Sequence, residues 1–120
     1  MRTIKIFSAI CLFGMAILFM NACSKSDTNG SVVLPATQSV AIQGMAFSPA
    51  TVTVVVGTTI TWTNMDGTAH TVTSNDGTSF NSGNIAPNGT FTFTASTPGS
   101  YGYHCSIHPT MTGTVQIVTK

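Results

Sequence analysis

From residue 38 to its end, the chain alternates apolar and hydroxyl-bearing residues in short runs, and this pattern limits the fold more than any other feature. In Thr59–Asn64, the apolar Ile60 and Trp62 alternate with threonines, and Thr51–Val56 repeats the pattern with valines. Successive side chains of a strand point to opposite faces, so such runs predict strands with one buried face. No stretch here shows a helical apolar face. The pattern predicts an all-β domain.

Turn residues such as Gly57, Asn75-Asp76-Gly77 and Pro98-Gly99 separate the runs, while residues 80–88 are irregular and predict a loop. We expect strands at Val40–Ile42, Thr51–Val56, Thr59–Asn64, His70–Ser74, Thr90–Ala95, Tyr101–Cys105 and Gly113–Thr119. About seven or eight short strands with one apolar face each indicate an antiparallel, two-sheet Greek-key β-sandwich spanning residues 38–120.

The first 22 residues are typical of an export signal. Arg2 and Lys5 precede an apolar run, Ile6–Met20, that is short for a membrane span but suits a signal peptide. The run ends in Met-Asn-Ala-Cys, which resembles the lipobox of bacterial lipoproteins with Cys23 as the lipid anchor. The alternative is an ordinary cleaved signal that ends at Ala22. We expect residues 23–37 to be a flexible polar tether and the protein to be a periplasmic or cell-surface lipoprotein held at the membrane.

Cysteine and charge narrow the function further. Cys11 lies in the signal and Cys23 at the anchor, so Cys105 is the single thiol of the folded region, which favours a bound metal over a disulfide. Without Arg2 and Lys5, two lysines remain against three aspartates, a net charge of −1. With so few cationic side chains, the mature chain has no basic patch for binding nucleic acid. We expect it to be a monomer.

The chemistry is concentrated in the stretch from Tyr103 to Met111. Cys105, His108 and Met111 are spaced three residues apart, and His70 lies 35 residues before Cys105. Each residue alone has an ordinary structural explanation, such as a buried thiol or a core methionine. Together, one thiolate, two imidazoles and a thioether are the donor set of a type 1 copper site, whereas zinc is disfavoured because methionine is a poor ligand for it.

These segments resemble the cupredoxins, the blue copper proteins, and most closely the plastocyanin and amicyanin families. The resemblance rests on Gly44–Pro49, Val56-Gly57, Thr61–Asn64, His70–Val72 and Tyr101–Met111. It implies one type 1 copper with His70, Cys105 and His108 as equatorial ligands and Met111 as the axial ligand. Ile107 stands where these families usually carry proline.

The resemblance also implies residues around the ligands. Asn64 is expected to tie the two ligand segments together, and Ser106 to support the site beside Cys105. The family exposes one ligand histidine in an apolar patch, which here corresponds to Ile107, His108 and Pro109. Because charged residues are scarce, docking of a partner is expected to depend only weakly on salt.

The resulting function is a shuttle of single electrons between redox partners, such as a cytochrome or a copper- or quinone-linked enzyme. The alternative is a copper carrier or buffer that delivers the metal to a partner protein. An enzyme is not expected: copper nitrite reductases use the histidine beside the blue-site cysteine for a second copper, but this chain has three histidines in all. Strand alternation also directs His104 away from Cys105.

Overall fold

The computed structural model describes residues 37–120, which form eight β-strands. Their bounds are β1 Thr37–Ile42, β2 Phe47–Ser48, β3 Thr51–Val55, β4 Thr59–Asn64, β5 Thr73–Ser74, β6 Thr90–Thr94, β7 Gly99–His104 and β8 Thr112–Val118. The expected signal peptide, Cys23 and the tether up to residue 36 lie outside the described residues. Within residues 37–120, no helix is long and apolar enough to cross a membrane.

The strands form two sheets of four, in the orders β2-β1-β4-β6 and β3-β8-β7-β5. The predicted two-sheet β-sandwich is therefore confirmed, but its sheets are mixed instead of purely antiparallel. The pairs β1/β4 and β3/β8 are parallel. The reason is that the chain changes sheets between β2 and β3. As a result, β1 pairs with β4 and β3 pairs with β8, strands that are not consecutive in the chain and that run in the same direction.

The inward residues of both sheets pack into one core around Trp62, which is completely buried. Its indole Nε1 donates a hydrogen bond of 3.1 Å to the hydroxyl of Tyr103 in the opposite sheet. The rings of Phe80 and Phe91 lie 6.0 and 5.7 Å from that of Trp62. Since Tyr103 and Cys105 share one face of the chain as β7 ends, this packing directs the Cys105 side chain inward.

One predicted strand is much shorter than expected. The alternation at His70–Ser74 predicts five strand residues, but only Thr73 and Ser74 form β5. His70, Thr71 and Val72 are all buried, so this segment has no solvent-facing side. Residues of the irregular stretch bond to it instead: His70 bridges to Ile85, and the backbone N–H of Ser82 donates to the Val72 carbonyl at 3.0 Å.

Candidate metal centre

Three predicted ligands meet at one end of the sandwich. The Sγ of Cys105 lies 3.7 Å from Nδ1 of His70 and 3.7 Å from Nδ1 of His108, and the two Nδ1 atoms are 3.2 Å apart. Three residues that span 38 positions of the sequence thus place their donor atoms in a nearly equilateral triangle. Of the residues that the structure describes, these form the group of His, Cys, Asp or Glu side chains able to hold a metal.

The dimensions of this triangle suit a transition-metal ion. A point equidistant from its three corners lies about 2.1 Å from each, close to the usual lengths of metal–imidazole and metal–thiolate bonds. A thiolate and two imidazoles in a trigonal arrangement are the donors that copper uses in electron-transfer sites. The spacing of the three donor atoms therefore fits a copper ion bound between them.

The turn between β7 and β8 positions three of the predicted ligands, Cys105, His108 and Met111. Cys105 follows the last residue of β7, and its backbone N–H donates to the Met111 carbonyl at 3.0 Å. The N–H of Met111 donates to the His108 carbonyl at 2.9 Å, which closes a tight turn. Met111 is 4% exposed, so its side chain is buried, and it lies three positions after His108 in the sequence.

His70 is held from both sides of its backbone. Its N–H donates to the Ile85 carbonyl at 3.2 Å, and the N–H of Ile85 donates to the His70 carbonyl at 2.7 Å. Asn64 lies on the same side of the site, where its amide Nδ2 donates to the carbonyls of Thr68 and Ile85 at 2.8 and 3.0 Å. Asn64 therefore anchors the loop that precedes His70 and the segment that pairs with it.

The imidazole of His70 is oriented by a carboxylate. Its Nε2 lies 2.9 Å from Oδ2 of Asp66; the ring is completely buried, whereas the carboxylate is partly exposed. Asp66 also accepts hydrogen bonds from the backbone N–H groups of Met45 and Gly44, which together with His70 lower the pKa of its carboxyl. An ionised carboxylate can only accept, so Nε2 carries the proton and Nδ1 presents its lone pair to the other ligands.

Thr71 connects the segment that contains His70 to the segment that contains Cys105. Its backbone N–H donates to Sγ of Cys105 at 3.3 Å, and its Oγ1 accepts a hydrogen bond of 2.7 Å from the N–H of Ser106. The Ser106 hydroxyl in turn bonds to the hydroxyl of Thr73 at 3.0 Å. The bonds expected of Asn64 between the ligand segments are thus made by Thr71, because Asn64 faces the loop before His70.

The thiol of Cys105 is fully buried yet acidic. Burial raises its pKa, but the N–H of Thr71 and the neighbouring His70 and His108 lower it by more, to about 6. The thiolate, which is the form that binds metal, is therefore stabilised before any ion arrives.

The exposed side of the site is apolar. His108 is half-buried, whereas its neighbours Ile107 and Pro109 are exposed. His104 lies away from the triangle, as the alternation predicts, and its Nδ1 bonds to Oδ1 of Asn75 at 2.6 Å. Of the three predicted ligands, His108 is therefore the nearest to solvent.

Two residues of the centre were not anticipated from the sequence. Asp66 had a usable signal, because it is one of two aspartates between residues 38 and 120 and stands four positions before His70. Thr71 had none, since the chain contains many threonines and its role depends on a contact with residues 34 and 35 positions away.

Comparison with known proteins places this centre in context. A family model described as a cupredoxin-like domain matches residues 10–117. A Cu(I) form of an amicyanin mutant is 26% identical, with a TM-score of 0.65, over 72% of this chain and 86% of that one. A purple cupredoxin from Nitrosopumilus maritimus is 30% identical, with a TM-score of 0.62, over 68% of this chain and 99% of that one.

A copper-containing nitrite reductase from Thermus scotoductus is also similar. It is 26% identical, with a TM-score of 0.66, over 72% of this chain. The match spans only 23% of the reductase, so the likeness concerns one part of that larger protein.

Proposed function

This chain belongs to the cupredoxin-like family, and from that premise we propose that it is an exported blue copper protein that shuttles single electrons between redox partners. His70, Cys105 and His108 fit a single type 1 copper site, to which the buried Met111 would add a thioether donor. The observation that carries the proposal is the triangle of donor atoms with edges of 3.7, 3.7 and 3.2 Å.

Copper supplies a one-electron couple when it is bound, and the residues of this chain hold its ligands in place. Asp66 fixes the ring of His70, Thr71 fixes the Cys105 sulfur, and the turn to Met111 fixes His108. Ligands held by their own hydrogen bonds move little when the charge of the site changes. Small rearrangement is what fast electron transfer requires.

We propose that partners dock on the apolar surface formed by Ile107, His108 and Pro109. Ile107 is 46% exposed, although it is a large apolar side chain. Between residues 38 and 119, the formal charges are those of Asp66 and Asp76. Such a surface offers contact area but little long-range attraction, so the rate of electron transfer should change only slightly with ionic strength. A steep fall with added salt would contradict this docking mode.

An electron carrier suits the centre better than an enzyme. The chain has three histidines, and the triangle uses two of them. His104, which bonds to Asn75, is the single histidine left for a second, catalytic copper, and one imidazole is too few to form such a site. The partner is then a redox protein, such as a cytochrome or a copper- or quinone-linked enzyme.

We further propose that the protein acts outside the cytoplasm, tethered through a lipid on Cys23. The support is the signal-like residues 1–22 and the polar stretch that follows Cys23. Replacing Cys23 with serine should release the protein from membranes while the copper centre stays intact. Membrane association that survives this change would refute lipid anchoring at Cys23.

The decisive experiment is to add Cu(II) to the purified protein and record its absorption and electron paramagnetic resonance spectra. We expect an intense blue colour and a narrow copper hyperfine pattern. Cys105→Ser should abolish the colour, whereas Met111→Leu should retain it and raise the reduction potential, because a donor to the oxidised metal is lost. A colourless or pale complex of the unaltered protein would overturn the proposal.

A second experiment separates an electron shuttle from a copper carrier. Cys105 is fully buried and Met111 nearly so, which favours retention of the metal. Repeated reduction and reoxidation with copper retained is the expected result for a shuttle. Rapid loss of Cu(I) to a metal-free acceptor protein would favour the carrier instead.

A further inference from the structure

Strand β6, Thr90–Thr94, forms a free edge of the first sheet. The order β2-β1-β4-β6 leaves its outer side without a paired strand within residues 37–120. Thr90, Thr92 and Thr94 are exposed, as expected for an uncovered edge. An edge strand presents N–H and C=O groups that are able to pair with another strand.

The register of β6 on β4 identifies which backbone groups are free. The N–H of Asn64 donates to the Gly89 carbonyl at 2.9 Å, and the N–H of Ala95 donates to the Thr58 carbonyl at 2.8 Å. These two pairs fall in the same register as Trp62 opposite Phe91. Hydrogen-bonded pairs alternate in an antiparallel ladder, so the odd-numbered residues of β6 bond to β4. The N–H and C=O groups of the three threonines therefore point outward.

This edge lacks the features by which proteins usually prevent strand pairing. Its sequence contains no charge, no proline and no glycine. Edge strands β2 and β5 have two residues each and offer little to pair with. Strand β3 is as long, but its Val52 and Val54 are buried, whereas Phe91 and Phe93 of β6 are only partly buried.

The sequence of β6 is also a palindrome, Thr-Phe-Thr-Phe-Thr, centred on Thr92. We propose that β6 is a self-association surface and that a second copy of this chain pairs antiparallel with it about Thr92. In this register each threonine lies opposite a threonine, and Phe91 lies opposite Phe93 of the partner subunit. Each threonine then donates and accepts one backbone hydrogen bond across the two-fold axis.

A second copy fits this edge better than an unrelated strand. The palindrome matches like with like at every position, and cross-strand threonine and aromatic pairs are favourable. Pairing also covers the partly exposed sides of Phe91 and Phe93 on both copies. With no charge on the strand, the two copies do not repel each other there.

The pairing leaves both metal centres accessible. The Thr90 end of β6 adjoins Gly89, which bonds to Asn64 beside the His70 loop, while the Thr94 end adjoins Ala95 and the turn at Gly57. An antiparallel pair therefore puts the two centres at opposite ends of the dimer. The expectation of a monomer is revised to a dimer that forms as concentration rises and does not depend on copper.

Sedimentation equilibrium of the full chain over a wide range of concentrations tests the proposal. The unaltered protein should show a monomer–dimer equilibrium with and without copper. Thr92→Lys places two like charges opposite each other and should weaken the dimer by about tenfold or more. Thr53→Lys is the matched control, because it adds the same charge to an exposed threonine on the β3 edge and should leave the equilibrium unchanged.

Disulfide trapping tests the register. Thr92→Cys places one thiol opposite the same thiol of the second copy, so air oxidation should give a covalent dimer well above the background from the natural cysteines of the unaltered chain. In Thr90→Cys, the new thiol lies opposite Thr94 of the partner subunit, so oxidation should give no more covalent dimer than the unaltered chain does.

Three results would each overturn the proposal. They are a monomer at all concentrations, a dimer that Thr92→Lys leaves unchanged, and equal trapping by Thr92→Cys and Thr90→Cys. A monomer would mean that the edge is unused or is covered by another part of the same chain.

Discussion

The carboxylate of Asp66 accepts a hydrogen bond from Nε2 of the buried His70, at a distance of 2.9 Å. The same carboxylate accepts hydrogen bonds from the backbone N–H groups of Gly44 and Met45. It therefore links the turn after β1 to His70. This relationship sets both the tautomer and the orientation of a proposed copper ligand. It also explains why one of the few charges of the domain lies at its metal end.

Asp66→Ala should weaken copper binding by roughly 10- to 100-fold, the usual effect of removing a hydrogen-bond partner of a ligand histidine. The reason is that the His70 ring loses the group that fixes its tautomer. Competition titration with a copper chelator measures the change. Asp76→Ala is the control, since it removes the same charge from a carboxylate that bonds to Ser74, Thr78 and Ser79 and to no ligand. Equal affinity losses in both variants would contradict the role of Asp66.

Thr71→Val should lower the free energy of unfolding of the metal-free protein by about 1–3 kcal/mol. Valine keeps the shape of the side chain but removes the oxygen that accepts the Ser106 N–H at 2.7 Å. Urea denaturation measures this change. Thr53→Val removes a hydroxyl from an exposed position of β3 and should change the stability by less than about 0.5 kcal/mol. An unchanged stability of Thr71→Val would show that the bond contributes little.

The Cys105 thiol gives the metal-free protein a defined pH dependence. Its pKa is lowered from 9.0 to about 6 in the folded state: burial raises it, whereas the N–H of Thr71 and the neighbouring His70 and His108 lower it. Between these two values the unfolded chain holds the proton and the folded protein does not, so the free energy of unfolding rises with pH across that window. This contribution is complete above pH 9 and is lost as the pH falls through about 6.

Urea denaturation from pH 5 to 9 measures this dependence, with Cys105→Ala as the control that lacks it. Copper affinity should fall as the pH drops through about 6, because the thiolate becomes protonated. The same slope of stability against pH in both proteins would assign the effect to other groups.

Gly113→Ala should destabilise the protein by about 1–3 kcal/mol through overpacking. Gly113 lies opposite Tyr103 in the β7/β8 pair, and an added Cβ would clash with the Tyr103 ring. Gly67→Ala is the matched control, because a Cβ there has no atom within 4 Å. Thermal or urea denaturation of the two variants should differ clearly, and equal stabilities would mean that the ring moves aside without cost.

Much of the fold was readable because it depends on local pattern. Alternation of apolar and threonine residues predicted six strands closely, including β4, whose bounds agree fully. It failed at His70–Val72, where both sides of the segment are buried and alternation has no meaning. It could not find β2, since two residues are too few to show a period.

The ligands themselves were also readable, because copper requires particular donor atoms and this chain has few of them. A single thiol in the folded region, the few histidines and a three-residue spacing selected a donor set of His70, Cys105, His108 and Met111, and the resemblance assigned their equatorial and axial roles. The structure brings together one donor atom from each of His70, Cys105 and His108.

Sequence alone therefore determined the strand pattern and the identity of the donor atoms, since both are properties of single residues and their near neighbours. Tertiary structure decided which groups hold those donors, namely Asp66 on His70 and Thr71 on Cys105. It also placed the Tyr103 ring over Gly113. It also decided which backbone groups of β6 have no partner strand within residues 37–120. These features arise from contacts between residues distant along the chain, whose geometry exists only after the two sheets have packed.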